Sequence, residues 1–492
     1  KAYQSLSDHG TPEILRTPLD RLVLQVYRML EQSQHYRSLT TDFNHSDNSN
    51  TSQKAPNQSR EQCVDVFSLL RLCPDIPSPA AVTAAITSLT HMQALSSIGC
   101  LTPLGRHISD LPCAPKVGRL LIFGTMLGLT RHCAGIAASI GVKSVFTSGS
   151  NSGSENARNS ADGNSELNVK RRFAGEAGVE SDQAAVALAL MHYQNNCVAF
   201  PGGYNEEKGR DFCRNNSLSI SAMTDIASAQ SELLKALVDI GFVPSIDASM
   251  DMSSKCNCNS SNAKVFAAVL CAGLYPQVAL IRRPVKRFVE VSGGAIEKSA
   301  CAKQLKFFIL HQSDPEVHPN STVVPAATTL SVEESTRNID NDIQGDINRA
   351  LESSPHEEDY DEEDPEEIKM NLQQIFLHKS SVNIDTIVYP SSYIVYGDRV
   401  LQGRPFLKDV TAVGVYPLLL LGGEIRVNFV KGLATVDGWI RFQISGRVAA
   451  LLLRLRAALQ ELLEQKFQSP EMEMYSSEVL RVALALIKTD GV

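Results

Sequence analysis

The chain has 492 residues, of which 43% are hydrophobic and 20% are charged, and its formal net charge is −8. This size predicts several packed domains, and the absence of any run of about 18 apolar residues excludes an ordinary membrane-spanning helix. The charge is uneven, because residues 313–367 hold 17 acidic and 2 basic residues and the rest of the chain is therefore net positive, at +7. A basic body with an acidic loop favours contacts with phosphates, although an ordinary surface beside a disordered loop explains the same pattern.

The first 115 residues predict a small helical domain. The run Thr17-Pro18-Leu19-Asp20 is close to a capping box, and Ser78-Pro79 and Thr102-Pro103 are further helix starts, each with a capping hydroxyl before a proline. Residues 38–62 are rich in Ser, Thr, Asn and Gln and predict a disordered insert.

Residues 116–262 predict a helical bundle. A helix starts near Pro115, Ser181 opens a long helix, and a further helix over Ile220–Ile240 stops at Gly241. Between the first two, residues 147–169 are rich in Gly, Ser and Asn and predict a disordered linker.

Residues 263–446 predict a small β-barrel, introduced by an apolar helix over Lys264–Tyr275. Short β-rich runs recur at roughly ten-residue spacing, as in small barrels. They are Val278–Val291, Ile375–Asn383, Tyr393–Tyr396, Phe406–Val413, Leu418–Gly423, Glu424–Val430 and Trp439–Gln443. Residues 312–367 form the acidic insert, with too few apolar residues to fold alone. Residues 447–492 predict terminal helices, the first of them over Gly446–Phe467.

The eleven cysteines are scattered, and only Cys256 and Cys258 are close together. No second pair lies beside them, so free thiols are expected rather than a zinc site or a disulfide. Scattered, unpaired cysteines predict an intracellular, reducing compartment. Among such compartments we expect the cytoplasm, with the nucleus or an organelle as the alternatives.

Several motifs resemble the C-terminal region of DEAH/DExH-box RNA helicases, and they occur in that family's order. They are Leu101-Thr102-Pro103-Leu104-Gly105-Arg106, Asp211–Ser219, Ala272–Pro276, His378–Asn383 and Asp437-Gly438-Trp439. The resemblance implies a multidomain α+β protein. Its parts would be a degenerate winged helix (12–115), a helical ratchet or HA2 bundle (116–262), an OB-fold β-barrel (263–446) and C-terminal helices (447–492). Residues 1–11 resemble the tail of a second RecA-like domain, and the RecA-like domains themselves are expected to be absent.

The resemblance implies a function as the RNA-binding and regulatory module of an ATP-dependent RNA helicase. The sequence contains no Gly-x-x-x-x-Gly-Lys-Ser/Thr motif, so we expect no ATP hydrolysis, no cofactor and no metal ligands in this chain. ATP and Mg²⁺ would belong to the full-length protein. The implied partners are single-stranded RNA, RecA-like motor domains of the same protein and a protein cofactor on the winged-helix or OB face, without a membrane. A stand-alone, non-enzymatic RNA-binding or adaptor protein is the alternative.

The resemblance also implies an RNA site on the barrel. Lys379 stands where the family has proline, and Lys408 stands where it has arginine, so positive charge is kept at the second position and added at the first. The alternative is that the imidazole and hydroxyls only bond within the barrel. The residues expected to bind RNA are His378, Lys379, Ser380, Ser381, Lys408 and Thr411.

Overall fold

The structure is a computed structural model that describes residue 10 and residues 12–45, 65–142, 144–147, 166–199, 203–282, 289–291, 294–296, 305–310 and 372–491. The chain divides into two compact units, residues 1–118 and residues 119–492. The predicted tail at 1–11, apart from Gly10, and the predicted insert at 312–367 lie outside the described residues. The predicted domain boundaries stay predictions.

The first unit is helical. Its helices are α1 (Glu13–Arg16), α2 (Asp20–His45), α3 (Val66–Leu70), α4 (Pro79–His91) and α5 (Pro103–Asp110), and α6 (Pro115–Met126) begins within it. Helix α2 packs against α3, α4 and α5. Val23, Leu89 and Ile108, one each from α2, α4 and α5, are fully buried members of this core.

The first long helix differs from its prediction at both ends. It begins at Asp20, and the Thr17 hydroxyl instead donates to the carbonyl of Glu13 at 2.7 Å, at the end of α1. The predicted capping box is therefore wrong. The helix also continues to His45, so the part of the predicted insert from residue 38 to residue 45 is helical. No glycine or proline occurs between Asp20 and His45, and polar residues alone do not end a helix.

The Thr102 cap is confirmed. Thr102 Oγ1 accepts from the backbone N–H of Gly105 at 3.0 Å and donates to the carbonyl of Gln93 at 2.7 Å. A Cβ on Gly105 would lie 2.1 Å from the carbonyl oxygen of Ala94, so only glycine permits this approach of helix and loop. The motif that carries the resemblance therefore forms a capped, closely packed corner.

We expect Thr102→Ala to lower the free energy of unfolding of the chain by about 1 kcal/mol, because the cap and its bond to Gln93 are both removed. Urea denaturation followed by circular dichroism measures this change. The matched control is Thr87→Ala, since Thr87 is exposed within α4 and its hydroxyl only bonds the carbonyl of Thr83. Equal stabilities of the two variants would contradict the capping role.

The second unit starts with a bundle around one central helix. After α6 its helices are α7 (Thr130–Ser139), α8 (Glu166–Ala177), α9 (Asp182–Cys197), α10 (Glu206–Asn215), α11 (Ile220–Asp239) and α12 (Ile246–Met250), with a short hairpin of β1 (Val198–Ala199) and β2 (Gly203–Tyr204) and a 3-10 turn at Lys255–Asn257. Helix α9 contacts α7, α8, α10 and α11. The predicted linker is shorter than expected, because α8 already begins at Glu166. Gly241, at a φ of 83°, follows the end of α11 as predicted.

The predicted barrel is confirmed. After α13 (Ala263–Leu274) come β3 (Val278–Arg282), β4 (Val289–Val291), β5 (Gly294–Ile296), β6 (Lys306–Leu310), β7 (Leu372–Leu377), β8 (Tyr393–Gln402) and β9 (Arg404–Ala412). Five strands close in the order β3-β6-β7-β9-β8, with β7 and β9 parallel and the other pairs antiparallel. Strands β4 and β5 form a separate hairpin. Ile281, Phe307, Ile375 and Leu407 point into the barrel core.

Two predictions after the barrel are wrong. Leu418–Gly423 was expected to be a strand, but α14 (Val415–Leu421) is a helix whose terminal carbonyls accept from the buried Arg456, among them Gly422 O at 2.7 Å. A short apolar run is compatible with a helix or a strand, and here its burial and the contacts with Arg456 accompany a helix. Strands β10 (Ile425–Asn428), β11 (Leu433–Val436) and β12 (Ile440–Gln443) form a separate antiparallel sheet rather than part of the barrel.

The chain ends with α15 (Gly446–Gln468) and α16 (Glu478–Thr489), which pack against each other. Helix α15 confirms the predicted Gly446–Phe467 helix almost to the residue. Among the helices that the structure describes, none is long and apolar enough to cross a bilayer.

Candidate nucleic-acid interface

The carboxylate of Asp182 is fully buried where helices α8 and α9 meet the loop after β7 and strand β9, a region that we call the junction. Oδ1 accepts from Lys170 Nζ and from the backbone N–H of Val382, each at 2.9 Å. Oδ2 accepts from Ser381 Oγ at 2.8 Å and from the backbone N–H of Val410 at 2.9 Å. Four donors offset the loss of hydration of the buried charge. A single side chain therefore connects four segments of the second unit.

The local sequence places this carboxylate. Ser181 precedes α9 and its Oγ accepts from the backbone N–H of Ala184 at 3.1 Å, so Asp182 is held at the first position of the helix. Ser181 and Thr411 form a β-bridge, and their hydroxyl oxygens lie 2.6 Å apart. Thr411 in turn donates to Gln183 Oε1 at 2.6 Å, and Gln183 Nε2 donates to the carbonyl of Asp409. Gln183 is thus part of the fold.

Two of the predicted RNA-binding residues are not at the surface. Ser381 is 1% exposed and Thr411 is 0% exposed, and both hydroxyls bond to protein groups of the junction. A buried hydroxyl with its own partners is not free to bind a ligand. These two residues therefore hold the barrel against helix α9, and their partners lie on that helix rather than within the barrel.

His378 and Ser380 stand at the edge of the junction, both half-buried. The backbone N–H of His378 donates to the carbonyl of Leu407 at 2.9 Å, which extends the pairing of β7 with β9. The backbone N–H of Ser380 donates to His378 Nδ1 at 3.2 Å, and Ser380 Oγ lies 2.7 Å from the same nitrogen. Because a backbone N–H can only donate, Nδ1 is an acceptor and the neutral ring carries its proton on Nε2. The imidazole therefore keeps one N–H for a further partner.

Positive charge collects around this imidazole. Partial burial lowers the pKa of His378, and the charges of Lys408, Lys379 and Lys170 lower it further, while Glu166 acts in the opposite direction. We call these three lysines and His378 the cationic cluster. Its ammonium groups and imidazole N–H are donors of the kind that bind phosphate oxygens.

The members of the cluster differ in accessibility. Lys379 is exposed and Lys408 is half-buried, opposite Asp398 in the register of β8 and β9. Lys170 is buried, and besides its ion pair with Asp182 its Nζ donates to the carbonyl of Ser380 at 3.3 Å. Lys379 and Lys408 are therefore the cations that a ligand can reach, and Lys170 positions the loop that carries Lys379.

Sequence reasoning missed Lys170 as a neighbour of the predicted site. It lies in α8, one residue after the predicted linker, and in the sequence nothing links it to the barrel. Asp182 follows Ser181 at the start of a predicted helix, and nothing else in the sequence distinguishes it. A buried ion pair formed by tertiary packing has no local pattern, so the sequence did not predict it.

Within the described ranges no group of three or more His, Cys, Asp or Glu side chains could hold a metal ion, and Cys256 and Cys258 are free thiols. The arrangement at the junction offers cationic and neutral donors on a rigid scaffold. Its chemistry is therefore that of a binding surface for anionic ligands.

Three family models match separate parts of the chain. The winged-helix model of the helicase associated domain, HA2, matches residues 85–113. The model of the oligonucleotide/oligosaccharide-binding (OB) fold matches residues 350–425, and that of the C-terminal domain in RNA helicases matches residues 432–489. The OB-fold match covers β7, β8 and β9, which carry the residues of the junction on the barrel side.

Relatives along nearly the whole chain are named as RNA helicases. A mouse protein, putative ATP-dependent RNA helicase DHX57, is 27% identical over 97% of this chain and 28% of its own length. Human ATP-dependent RNA helicase DHX29 is 23% identical over 99% of the chain and 27% of its own length, and mouse ATP-dependent DNA/RNA helicase DHX36 is 26% identical over 98% and 37%. The chain thus spans about a quarter to a third of the curated relatives that it matches. From the three domain matches and these relatives, the chain is homologous to the HA2, OB-fold and C-terminal domain region of DEAH/DExH-box RNA helicases.

Proposed function

We propose that this chain is the RNA-binding and regulatory C-terminal module of an ATP-dependent RNA helicase that translocates on RNA and unwinds it. The observation that carries the proposal is the cationic cluster, with Lys379 and Lys408 reachable at the meeting point of the helical bundle and the OB-fold barrel. Lysine contacts to phosphates bind RNA with little dependence on its sequence, as a translocating protein requires.

The chemical step would belong to other parts of such a protein. ATP and Mg²⁺ would be bound by RecA-like motor domains, since these 492 residues contain no phosphate-binding Gly-x-x-x-x-Gly-Lys-Ser/Thr motif. The partners that we propose are single-stranded RNA, those motor domains and a protein cofactor on the winged-helix or OB face. We place the protein inside the cell, in the reducing compartment that its free thiols suit.

We expect the chain to bind an oligouridylate of about 12 nucleotides with a strong dependence on salt. Two phosphate contacts on a single strand give a slope of about −1.4 in log affinity against log salt, so affinity should fall at least about sevenfold from roughly 50 to 200 mM. Fluorescence anisotropy with a labelled oligonucleotide measures the slope. A flat salt dependence would contradict binding through phosphate contacts, and no binding at the lower salt concentration would favour an adaptor that does not bind RNA.

A further inference from the structure

Three phenylalanines lie on the outward face of three neighbouring strands of the barrel, β6, β7 and β9. Phe376 of β7 stands opposite Phe406 of β9 in the parallel register, and their ring centroids are 6.1 Å apart. Phe308 of β6 stands opposite Gln374, two residues before Phe376 on the same face of β7. We call Phe308, Phe376 and Phe406 the aromatic strip. All three rings are half-buried, whereas Phe307, one residue away, is buried in the core.

Arginines cover two of these rings. The guanidinium of Arg282 lies 5.0 Å from the centroid of Phe308, and that of Arg404 lies 5.5 Å from the centroid of Phe376. Such alternation of arginine and aromatic faces is how proteins bind bases and phosphates of a single strand together.

The aromatic strip continues into the cationic cluster. The ring of His378 packs edge-on against Phe406, with centroids 6.2 Å apart and an interplanar angle of 88°. Lys379 follows His378 in the chain, and Lys408 follows Leu407, whose carbonyl accepts from the backbone N–H of His378. A path along the barrel surface therefore runs from lysines that suit phosphates to rings that suit bases.

The charges beside the path are mainly positive. Exposed cations on the outward face of its strands are Arg282, Lys306 and Arg404. Exposed acids of these strands are Asp398, opposite Lys408, and Asp409, whose charge interacts with those of Lys408 and Asp398. This balance favours a polyanion as the occupant.

We propose that the aromatic strip stacks the bases of single-stranded RNA whose phosphates contact Lys379 and Lys408. The inference rests on the proposed RNA-binding function and adds to it a base-contacting surface on the outside of the barrel. Stacking tolerates any base, because every base has an aromatic face, so the surface adds affinity without adding sequence preference.

The test compares two ligands and two double variants of the 492-residue chain. The ligands are an oligouridylate and an abasic oligonucleotide of the same length, which keeps the phosphates and lacks the bases. The test variant is Phe376→Leu with Phe406→Leu, which keeps apolar bulk and removes the rings. The control is Phe442→Leu with Phe212→Leu, two half-buried phenylalanines of β12 and α10 that lie outside the strip. Melting temperature is recorded for every variant.

We expect the test variant to bind oligouridylate about tenfold more weakly than the wild type, with an unchanged salt slope and unchanged binding of the abasic ligand. The control variant should bind both ligands as the wild type does.

Equal losses for both ligands, or no loss for oligouridylate, would overturn base stacking while leaving RNA binding intact. If the wild type binds neither ligand at low salt, the proposed function fails and the strip fails with it. A partner protein as the occupant would appear as undiminished oligouridylate binding by the test variant, which also overturns the proposal. If the test variant melts well below the wild type, Phe406→Leu alone replaces it, and oligouridylate affinity equal to that of the wild type then overturns the proposal.

Discussion

Asp182→Asn should lower the free energy of unfolding of the second unit by about 3–5 kcal/mol, the usual loss when one partner of a buried ion pair is removed. The substitution removes the charge that compensates Lys170, which is buried 2.9 Å away. The new amide group would also point a donor at the N–H groups of Val382 or Val410, which now donate to the carboxylate. Buried donors without an acceptor add to the cost.

Urea denaturation followed by tryptophan fluorescence measures this change, since Trp439, the one tryptophan of the sequence, lies in the same unit. The matched control is Asp225→Asn, because Asp225 is an exposed acid on α11 and should change stability by less than about 0.5 kcal/mol. Lys170→Met and the double variant complete a thermodynamic cycle. We expect the double variant to be more stable than Asp182→Asn alone, because no uncompensated charge remains. Additive effects of the two substitutions would show that Lys170 and Asp182 do not act as a pair.

Lys379→Ala with Lys408→Ala should weaken binding of single-stranded RNA about 25-fold at roughly 0.1 M salt. Each phosphate contact on a single strand contributes about 0.7 to the salt slope, so the double substitution should reduce the slope by about 1.4. Over the tenfold range from 1 M to 0.1 M salt, a slope difference of about 1.4 corresponds to the ~25-fold decrease in affinity. The melting temperature should stay close to that of the wild type, because Lys379 is exposed and Lys408 is only half-buried.

The control for this pair is Lys431→Ala with Lys488→Ala, which removes the same charge from exposed positions in the β10–β11 turn and in α16. Its salt slope should match that of the wild type. An unchanged slope in the test variant would remove both lysines from the RNA site. A large fall in its melting temperature would instead assign them to the fold.

The elements predicted correctly are those whose signal is local. The Thr102 cap, the stop at Gly241 and the helix over Gly446–Gln468 follow from hydroxyls, glycine and apolar spacing within a few residues. The barrel was predicted because its strands are short, β-rich and evenly spaced. The Leu418–Leu421 run failed for the opposite reason, since four consecutive leucines suit a buried helix as well as a strand.

The site was predicted only in part, for a similar reason. The charges of Lys379 and Lys408 can be inferred directly from the sequence, and in the structure both side chains are accessible to a ligand. The roles of Ser381 and Thr411 cannot be inferred from the sequence, because the sequence does not show whether a hydroxyl faces solvent or a buried carboxylate. Only the docking of α9 on the barrel distinguishes the two cases.

By itself, then, the sequence determined the helical and β-rich regions, the basic body, the missing phosphate-binding motif and the family to which the motifs point. These depend on neighbours in the chain or on composition. The tertiary structure decided which polar groups are buried at Asp182, which leucines become helix, and that Phe308, Phe376 and Phe406 share the outer face of the barrel. Such choices depend on strand register and on contacts between residues far apart in sequence, which no local pattern encodes.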